Sequence, residues 1–176
     1  MQTLVALLRG VNVGGKVKVP MAELKEELAD LGLEDVVTYI QSGNVVFRTG
    51  EKNVGAAIEK RIEAKYGLNV SVILRTLPEL RRIAKRNPFP RADKSRLHVV
   101  FLAGKPKARA ELEPERSPGD EFAVKGREVY LHLPNGAGRT KLTLDYLERR
   151  LGVAGTQRNW NTLLKLVELA GSLSPR

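Results

Sequence analysis

The sequence has no cysteine and few aromatic residues, which account for 5% of its 176 positions. The absence of cysteine excludes disulfide bonds, thiolate metal sites and cysteine nucleophiles, and it favours a cytoplasmic location. No apolar run approaches the roughly 20 residues that a membrane-spanning helix requires. The apolar start of the chain has neither a basic head nor a small-residue cleavage site, so we interpret it as a first β-strand rather than a signal peptide.

The residues that are present predict a globular protein with an excess of positive charge. Apolar residues make up 42% of the chain, and the formal net charge is +10. Between Arg75 and Lys107 there are ten Lys or Arg residues against two acids, a density that can attract nucleic acid. A solvated face that keeps a basic protein soluble explains the same stretch. Arginine outnumbers lysine by 17 to 13, which favours a heat-adapted source.

Hydrophobic periodicity predicts an α+β protein built from two similar halves. The first half reads βαββαβ, the order of a ferredoxin-like domain, with elements at residues 3–8, 20–31, 36–40, 44–49, 54–66 and 70–75. Both alternating faces of the first strand are apolar, so we expect that strand to be covered on both sides.

The second half opens with a capping box at Thr76-Leu77-Pro78-Glu79, which predicts a short basic helix that ends before Pro88. The elements predicted after it are a strand at 97–103, a short helix at 107–113, a hairpin around Gly126 and helices at 140–151 and 158–170. This half therefore reads βαββα plus a terminal helix.

We predict two tandem ferredoxin-like (βαββα-type) subdomains packed together. They cover residues 1–76 and 94–176, and residues 77–93 form a basic helix and connection. The repeat is one of topology, without a convincing residue-level match between the halves.

The first candidate site is the glycine-rich segment from Arg9 to Lys16, which connects the first strand to the first helix. Its glycines allow positive φ, so that backbone N–H groups can converge on an anion while the two flanking cations supply charge. The spacing approaches that of a phosphate-binding Walker loop, but Val17 replaces the required hydroxyl and Pro20 marks a later helix start. The segment therefore predicts either a looser anion-binding loop or an ordinary long turn.

The second candidate site is the polar turn Gln41-Ser42-Gly43-Asn44. Turns favour Gly and Asn on backbone grounds alone, so a purely structural role is the alternative. We expect this turn and the glycine-rich loop at opposite ends of a simple sheet, meeting only if the loop folds back along the sheet edge. Ser42 would be a nucleophile only beside a base such as a desolvated Lys16 or Lys141.

The third candidate site is the polar segment from Thr156 to Thr162, where we predict Thr156 as the N-cap of the last helix. Arg158 would then lie in the first turn and oppose the helix dipole. A nearby acid such as Asp145 would explain this arginine, and so would an anion bound at the helix start. The polar side chains available there are Arg158, Asn159 and Asn161.

The sequence contains no recognisable catalytic constellation. His98 and His132 each lie inside an apolar strand with no acid beside them in sequence, so we expect structural or surface roles for both. No cluster of His, Asp and Glu has metal-ligand spacing. We therefore predict no metal and no cofactor, and the catalytic residues are unknown.

The three candidate segments resemble those of one family. Arg9 to Lys16 with Pro20-Met21, the run Tyr39 to Phe47, and Thr156 to Thr162 are similar to the family catalogued as domain of unknown function 1697. The resemblance covers nearly the whole chain, and it implies a compact α+β protein of two ferredoxin-like subdomains. It implies no activity. The family usually has a polar residue where this chain has Val17.

Our first hypothesis is a binding protein, or an enzyme of unassigned reaction, for a small ligand that bears a phosphate or a carboxylate. The loop residues would be Arg9, Asn12, Gly14, Gly15 and Lys16, completed by Gln41, Ser42 and Asn44, with Arg158, Asn159 and Asn161 facing them. The alternatives are sequence-nonspecific nucleic-acid binding through Arg75–Lys107 and a protein–protein adaptor. The sequence defines neither the reaction nor the oligomeric state.

Overall fold

The structure is a computed structural model that describes residues 1–15 and 18–173. These residues form a mixed α+β protein with two four-stranded antiparallel sheets and five α-helices. The predicted α+β class is therefore confirmed. The chain divides into two compact units, of which the first contains Met1–Arg82 and Lys165–Arg176 and the second Ile83–Leu164. Within the described ranges, no helix has both the length and the apolar character needed to cross a bilayer.

The first unit contains all six elements predicted for the first half of the chain. They are β1 (Gln2–Leu8), α1 (Met21–Asp30), β2 (Glu34–Tyr39), β3 (Asn44–Thr49), α2 (Val54–Tyr66) and β4 (Val72–Thr76). The strands pair antiparallel in the order β2-β3-β1-β4.

One face of this sheet forms a core with the two helices. Phe47 on β3 packs in the same cluster as Leu24 and Leu28 of α1 and Ile58 and Ile62 of α2. The opposite face is also removed from solvent, since its residues Val5, Leu7 and Val46 are fully buried. The prediction that β1 is covered on both sides is therefore confirmed.

The second unit has a sheet of the same strand order. Its strands β5 (Leu97–Leu102), β6 (Glu121–Lys125), β7 (Glu128–His132) and β8 (Gly155–Asn159) pair antiparallel as β6-β7-β5-β8, and α4 (Leu144–Leu151) precedes the last strand. The two remaining helices, α3 (Leu77–Lys85) and α5 (Trp160–Leu173), follow β4 and β8 directly. A short 3-10 helix, Lys94–Arg96, leads into β5.

The helix predicted at 107–113 is wrong. Arg109 has a φ of 63°, which a helical residue does not adopt, and the Lys107 N–H donates to the Leu151 carbonyl at 2.9 Å. The segment is instead an irregular crossing tied to α4. Leu112 from this crossing is buried in the core that α4 forms with the sheet.

The prediction for the last two helices also needs correction. α4 begins at Leu144 rather than at residue 140, because Thr143 is its N-cap and accepts from the Tyr146 N–H at 3.2 Å. The segment around Thr156 and Arg158 is not a helix start but the strand β8, and the helix begins at Trp160. Pairing with the distant strand β5 overrides the local helical pattern there.

The two units share a residue-level match that the topology alone did not reveal. Arg75 on β4 lies opposite Val5 of β1, and Arg158 on β8 lies opposite Val99 of β5. Each arginine is buried and donates through Nη1 at 2.9 Å to the carbonyl of the residue before it. The residue after each arginine, Thr76 or Asn159, caps the helix that follows.

Candidate functional site

The glycine-rich loop and the turn between β2 and β3 lie at the same end of the first sheet. β1 runs antiparallel to β3, with Leu7 opposite Asn44, so the end of β1 coincides with the start of β3. The Leu8 N–H donates to the Gly43 carbonyl at 2.8 Å. The expectation that the two segments lie at opposite ends is therefore wrong, and they meet without any folding back.

Asn12 joins the loop to the turn. Its amide Nδ2 donates to the Val19 carbonyl at 3.0 Å and to the Gln41 carbonyl at 2.6 Å. Its Oδ1 accepts from the Val19 N–H at 2.9 Å. Asn12 itself has a φ of 54°, a conformation that asparagine tolerates better than most residues. One side chain thus closes the loop on itself and fixes it to the neighbouring turn.

Gly43 permits the close contact between the two segments. A Cβ at this position would lie 2.5 Å from Val11 Cγ2 and 2.8 Å from Leu8 Cβ, distances at which carbon atoms overlap. Gly43 also has a φ of 86°, which favours glycine. Any side chain there would push the loop away from the turn.

A cleft of about 340 Å³ opens beside this junction. The loop supplies one side through Asn12 and Gly15, and the turn supplies Gln41. The chain just before α1 completes the wall with Lys18, Val19 and Pro20. The described residues that line the cleft therefore bring one ammonium group and no carboxylate to it.

Lys18 is the functional candidate that sequence reasoning missed. It lies two residues before the helix start that Pro20 marks, and its side chain is exposed. The Walker-like spacing drew attention to Lys16 instead, and Lys16 lies outside the described residues.

The other predicted residues of the first unit have different roles. Arg9 is exposed, and its N–H donates to the Ser71 carbonyl at 2.9 Å. Gly14 has a positive φ at the tip of the loop. Asn44 is fully buried, and its amide donates to the Tyr39 carbonyl and to Ser42 Oγ, each at 3.0 Å. Asn44 and Ser42 therefore shape the turn.

The third predicted segment belongs to the second unit. Arg158 is 7% exposed and donates to Thr156 Oγ1 at 2.7 Å. Burial lowers the pKa of Arg158 to about 10. Asn159, not Thr156, is the N-cap of α5, because its Oδ1 accepts from the Thr162 N–H at 2.8 Å. Asn161 is exposed in the first turn, and a shared cavity with the glycine-rich loop stays a prediction.

A histidine–carboxylate pair in the second unit also escaped the sequence reasoning. Glu121 and His132 lie directly opposite each other on β6 and β7, and Glu121 Oε1 is 2.7 Å from His132 Nδ1. The signal was present in the predicted hairpin around Gly126, because its register places these two residues opposite each other. The two residues are 11 positions apart in the sequence, so proximity along the chain does not reveal the pair.

Comparisons with known proteins agree with this fold. A family model described as "Protein of unknown function (DUF1697)" matches residues 1–130. Among solved structures, the chain is similar to the conserved bacterial protein SP0830 from Streptococcus pneumoniae, with 25% sequence identity and a TM-score of 0.71. That similarity covers 96% of this chain and 98% of the other. No curated protein matches the chain.

Proposed function

The chain belongs to the DUF1697 family of proteins of unknown function, and we propose that its first unit binds a small anionic ligand in the cleft beside Asn12. The ligand bears a phosphate or a carboxylate, and it lies between the glycine-rich loop and the β2–β3 turn. The observation that carries the proposal is the closure of the loop by Asn12, which holds a cleft open next to Lys18.

The size and charge of the cleft support this class of ligand. Its volume of about 340 Å³ lies at the lower end of the range, roughly 300–1,000 Å³, that small-molecule sites occupy. Lys18 supplies three N–H donors and a positive charge. Carboxylate side chains, which would repel an anion, do not occur among the described lining residues.

The hydrogen bonds of Asn12 make the cleft preformed. Both of its N–H donors are already used by the Val19 and Gln41 carbonyls, so Asn12 positions the loop rather than contacting the ligand. Groups that are held in place before binding lose less conformational entropy when the ligand arrives. Contacts to the anion then come from Lys18 and from the backbone around Gly15, whose φ of 70° suits an anion-binding turn.

A thermal-shift screen of phosphorylated and carboxylated metabolites tests the proposal, followed by calorimetric titration of the compounds that stabilise the protein. A ligand present at about 100 times its Kd stabilises the native state by about 2.7 kcal/mol. We expect Lys18→Gln to weaken binding by roughly tenfold or more, as the loss of a charge-assisted hydrogen bond requires. Lys25→Gln, an exposed lysine on α1, is the matched control and should bind normally. A ligand held equally well by the Lys18→Gln protein, or a screen without any stabilising anion, contradicts the proposal.

The strand orders support a finer description of the fold, which we also propose. By the order of elements along the chain, residues 1–76 and residues 94–176 would each form a ferredoxin-like subdomain, because the two sheets have the same order of strands. The second unit differs by having an irregular crossing in place of its first helix.

Sequence-nonspecific nucleic-acid binding is the second candidate function. α3 buries Leu77, Leu80 and Ile83, while Arg81, Arg82 and Lys85 are exposed on the same helix. Such a basic face suits a phosphate backbone, for which affinity falls steeply with salt.

A charge-removal experiment tests this second function. Replacing Arg81, Arg82, Lys85 and Arg86 by Gln should reduce DNA and RNA binding at low salt and flatten its salt dependence. The control removes four exposed charges elsewhere, at Lys25, Lys52, Lys60 and Arg139, so the net charge is the same in both variants. Equal losses in the two variants would mean that net charge alone attracts the nucleic acid.

A further inference from the structure

The second unit contains its own cleft, of about 460 Å³, next to the Glu121–His132 pair. The chain between α3 and β5 supplies one wall through residues 88–92, and the β6–β7 hairpin supplies Glu121 and His132. The volume lies in the range of small-molecule sites. None of the residues that line the anion cleft of the first unit lines this second cleft.

Glu121 fixes the orientation and the tautomer of His132. A carboxylate oxygen accepts hydrogen bonds, so at the 2.7 Å distance between Glu121 Oε1 and His132 Nδ1 the ring hydrogen on Nδ1 is donated to the carboxylate. In the neutral ring, Nε2 is then the hydrogen-bond acceptor. The His132 side chain is 19% exposed, so the ring is held in place but remains reachable from the cleft.

Phe89 supplies an aromatic surface beside this histidine. The two ring centroids are 5.9 Å apart, with an angle of 38° between the ring planes, and Pro88 and Pro90 flank the phenylalanine in the wall of the cleft. The loop that carries Phe89 is ordered by its own hydrogen bonds. Its N–H donates to Asn87 Oδ1 at 2.9 Å, and its carbonyl accepts from the Ala92 N–H at 3.1 Å.

Arg91 gives the cleft a positive charge. Its side chain is exposed and lines the cleft with Phe89 and His132. A guanidinium group binds a carboxylate through two parallel hydrogen bonds, which fixes the orientation of the ligand as well as holding it. The cleft therefore combines a ring surface, a hydrogen-bond acceptor and an anion-binding cation.

We propose that this cleft is a second binding site, for a small planar aromatic acid that carries a hydroxyl or ring N–H donor. The ring of the ligand stacks against Phe89, its anionic group pairs with Arg91, and its donor bonds to Nε2 of His132. The carboxylate of Glu121 positions the imidazole for that bond and disfavours an anion on the histidine side of the cleft.

Para-hydroxybenzoate is a probe that carries all three features. We expect its titration into the whole protein to give saturable NMR shifts of the His132 imidazole and the Phe89 ring, while the His98 imidazole stays unchanged. His98 is a suitable internal reference because Leu97, its neighbour on β5, is the residue paired with His132, so His98 points to the opposite face. Cyclohexanecarboxylate, which lacks the aromatic ring and the hydroxyl, and phenol, which lacks the charge, should each bind roughly tenfold more weakly or worse.

Substitutions in the cleft give an independent test. Arg91→Gln and Phe89→Leu should each weaken para-hydroxybenzoate binding by about tenfold, whereas Arg139→Gln, at an exposed position of the same unit, should not. The shifts of His132 and Phe89 report this cleft alone, because neither residue lines the anion cleft of the first unit, so failure of one site is distinguishable from failure of the other.

Either of two results overturns the proposal. One is the absence of saturable shifts at His132 up to about 10 mM probe, since weaker binding than that is not selective recognition. The other is equal binding of the aromatic probe and cyclohexanecarboxylate by the wild-type protein, a comparison that does not depend on whether any variant folds.

Discussion

Asn12 and Val19 exchange two hydrogen bonds across a seven-residue separation, the Asn12 amide donating to the Val19 carbonyl at 3.0 Å and the Val19 N–H donating to Asn12 Oδ1 at 2.9 Å. The Asn12 side chain thus pairs with both backbone groups of Val19, as a neighbouring strand would. Because Val19 is buried just before α1, the exchange ties the far end of the glycine-rich loop to the first core of the molecule.

Replacing Asn12 by Ala should therefore destabilise the protein by about 1–3 kcal/mol, because it leaves the Val19 N–H and two carbonyls without these partners. Asn53→Ala is the matched control, since the Asn53 side chain is exposed and makes no capping hydrogen bond. Urea denaturation of both variants measures the difference. Equal stabilities would show that Asn12 does not hold the loop.

Gly43 and Gly32 form a matched pair for measuring the contact between loop and turn. Their φ angles are 86° and 89°, but a Cβ would meet other atoms within 4 Å only at Gly43, where Val11 and Leu8 are in the way. Gly32→Ala should cost about 1–2 kcal/mol for the left-handed backbone alone. Gly43→Ala should cost about 1–3 kcal/mol more, because the overlap forces the chain to move. Equal losses of unfolding free energy in the two variants, measured by thermal or urea unfolding, would mean that the junction accommodates the added methyl group without further cost.

The cap of α5 provides a third prediction. Asn159→Ala should destabilise the protein by about 1 kcal/mol, because the Thr162 N–H loses its 2.8 Å acceptor at the start of the helix. Asn161→Ala, two residues later and exposed, should change the free energy of unfolding by less than about 0.5 kcal/mol. A larger effect at Asn161 than at Asn159 would reverse the assignment of the cap.

The pH dependence of stability should report on His98. Burial lowers the pKa of His98 from its ordinary value of 6.5, so below that pH the unfolded chain binds more protons than the native protein. The free energy of unfolding therefore falls as the pH decreases through this window. The carboxyl groups of Glu27 and Asp93, whose pKa values are lowered from 4.5 and 3.8, act only at lower pH.

His98→Gln should remove this contribution. Urea denaturation at about pH 7.5 and about pH 5.5 should show a smaller loss of stability for the variant than for the wild type. Identical losses in the two proteins would show that His98 keeps an ordinary pKa in the folded state.

Elements defined by local sequence were predictable. The residues Val54, Ile58 and Ile62 recur on one helical face, and Gly67 follows with a φ of 66°. The helix α2 consequently has the predicted bounds. The capping box also formed as predicted, with the Thr76 N–H donating to Glu79 Oε2 at 2.7 Å and the Glu79 N–H donating to Thr76 Oγ1 at 3.3 Å.

Elements defined by distant pairing were not predictable in the same way. Thr156 and Arg158 are in a strand because Phe101 and Val99 of β5 lie opposite them, and nothing in the local pattern carries that information. The crossing around Arg109 likewise depends on its attachment to α4. Sequence periodicity therefore identified the apolar residues of this half but assigned some of them to the wrong element.

In the candidate sites, too, local sequence identified the residues, whereas their positions in space depend on distant pairing. The junction of loop and turn follows from the antiparallel pairing of β1 and β3, which places Leu7 opposite Asn44. The residues of both segments were identified from the sequence, but their distance was not. Lys18 lies outside every motif considered, and only the position of the chain before α1 shows that it lines the cleft.

The bridge between Asn12 and Val19 separates the tip of the loop from the scaffold that carries it. The chain between these two positions is a loop that the two hydrogen bonds close. An insertion there therefore lengthens the loop without moving β1 or α1. Doubling the length of such a loop costs only about 0.6 kcal/mol in closure entropy. An insertion between Asn12 and Val19 should therefore leave the free energy of unfolding nearly unchanged.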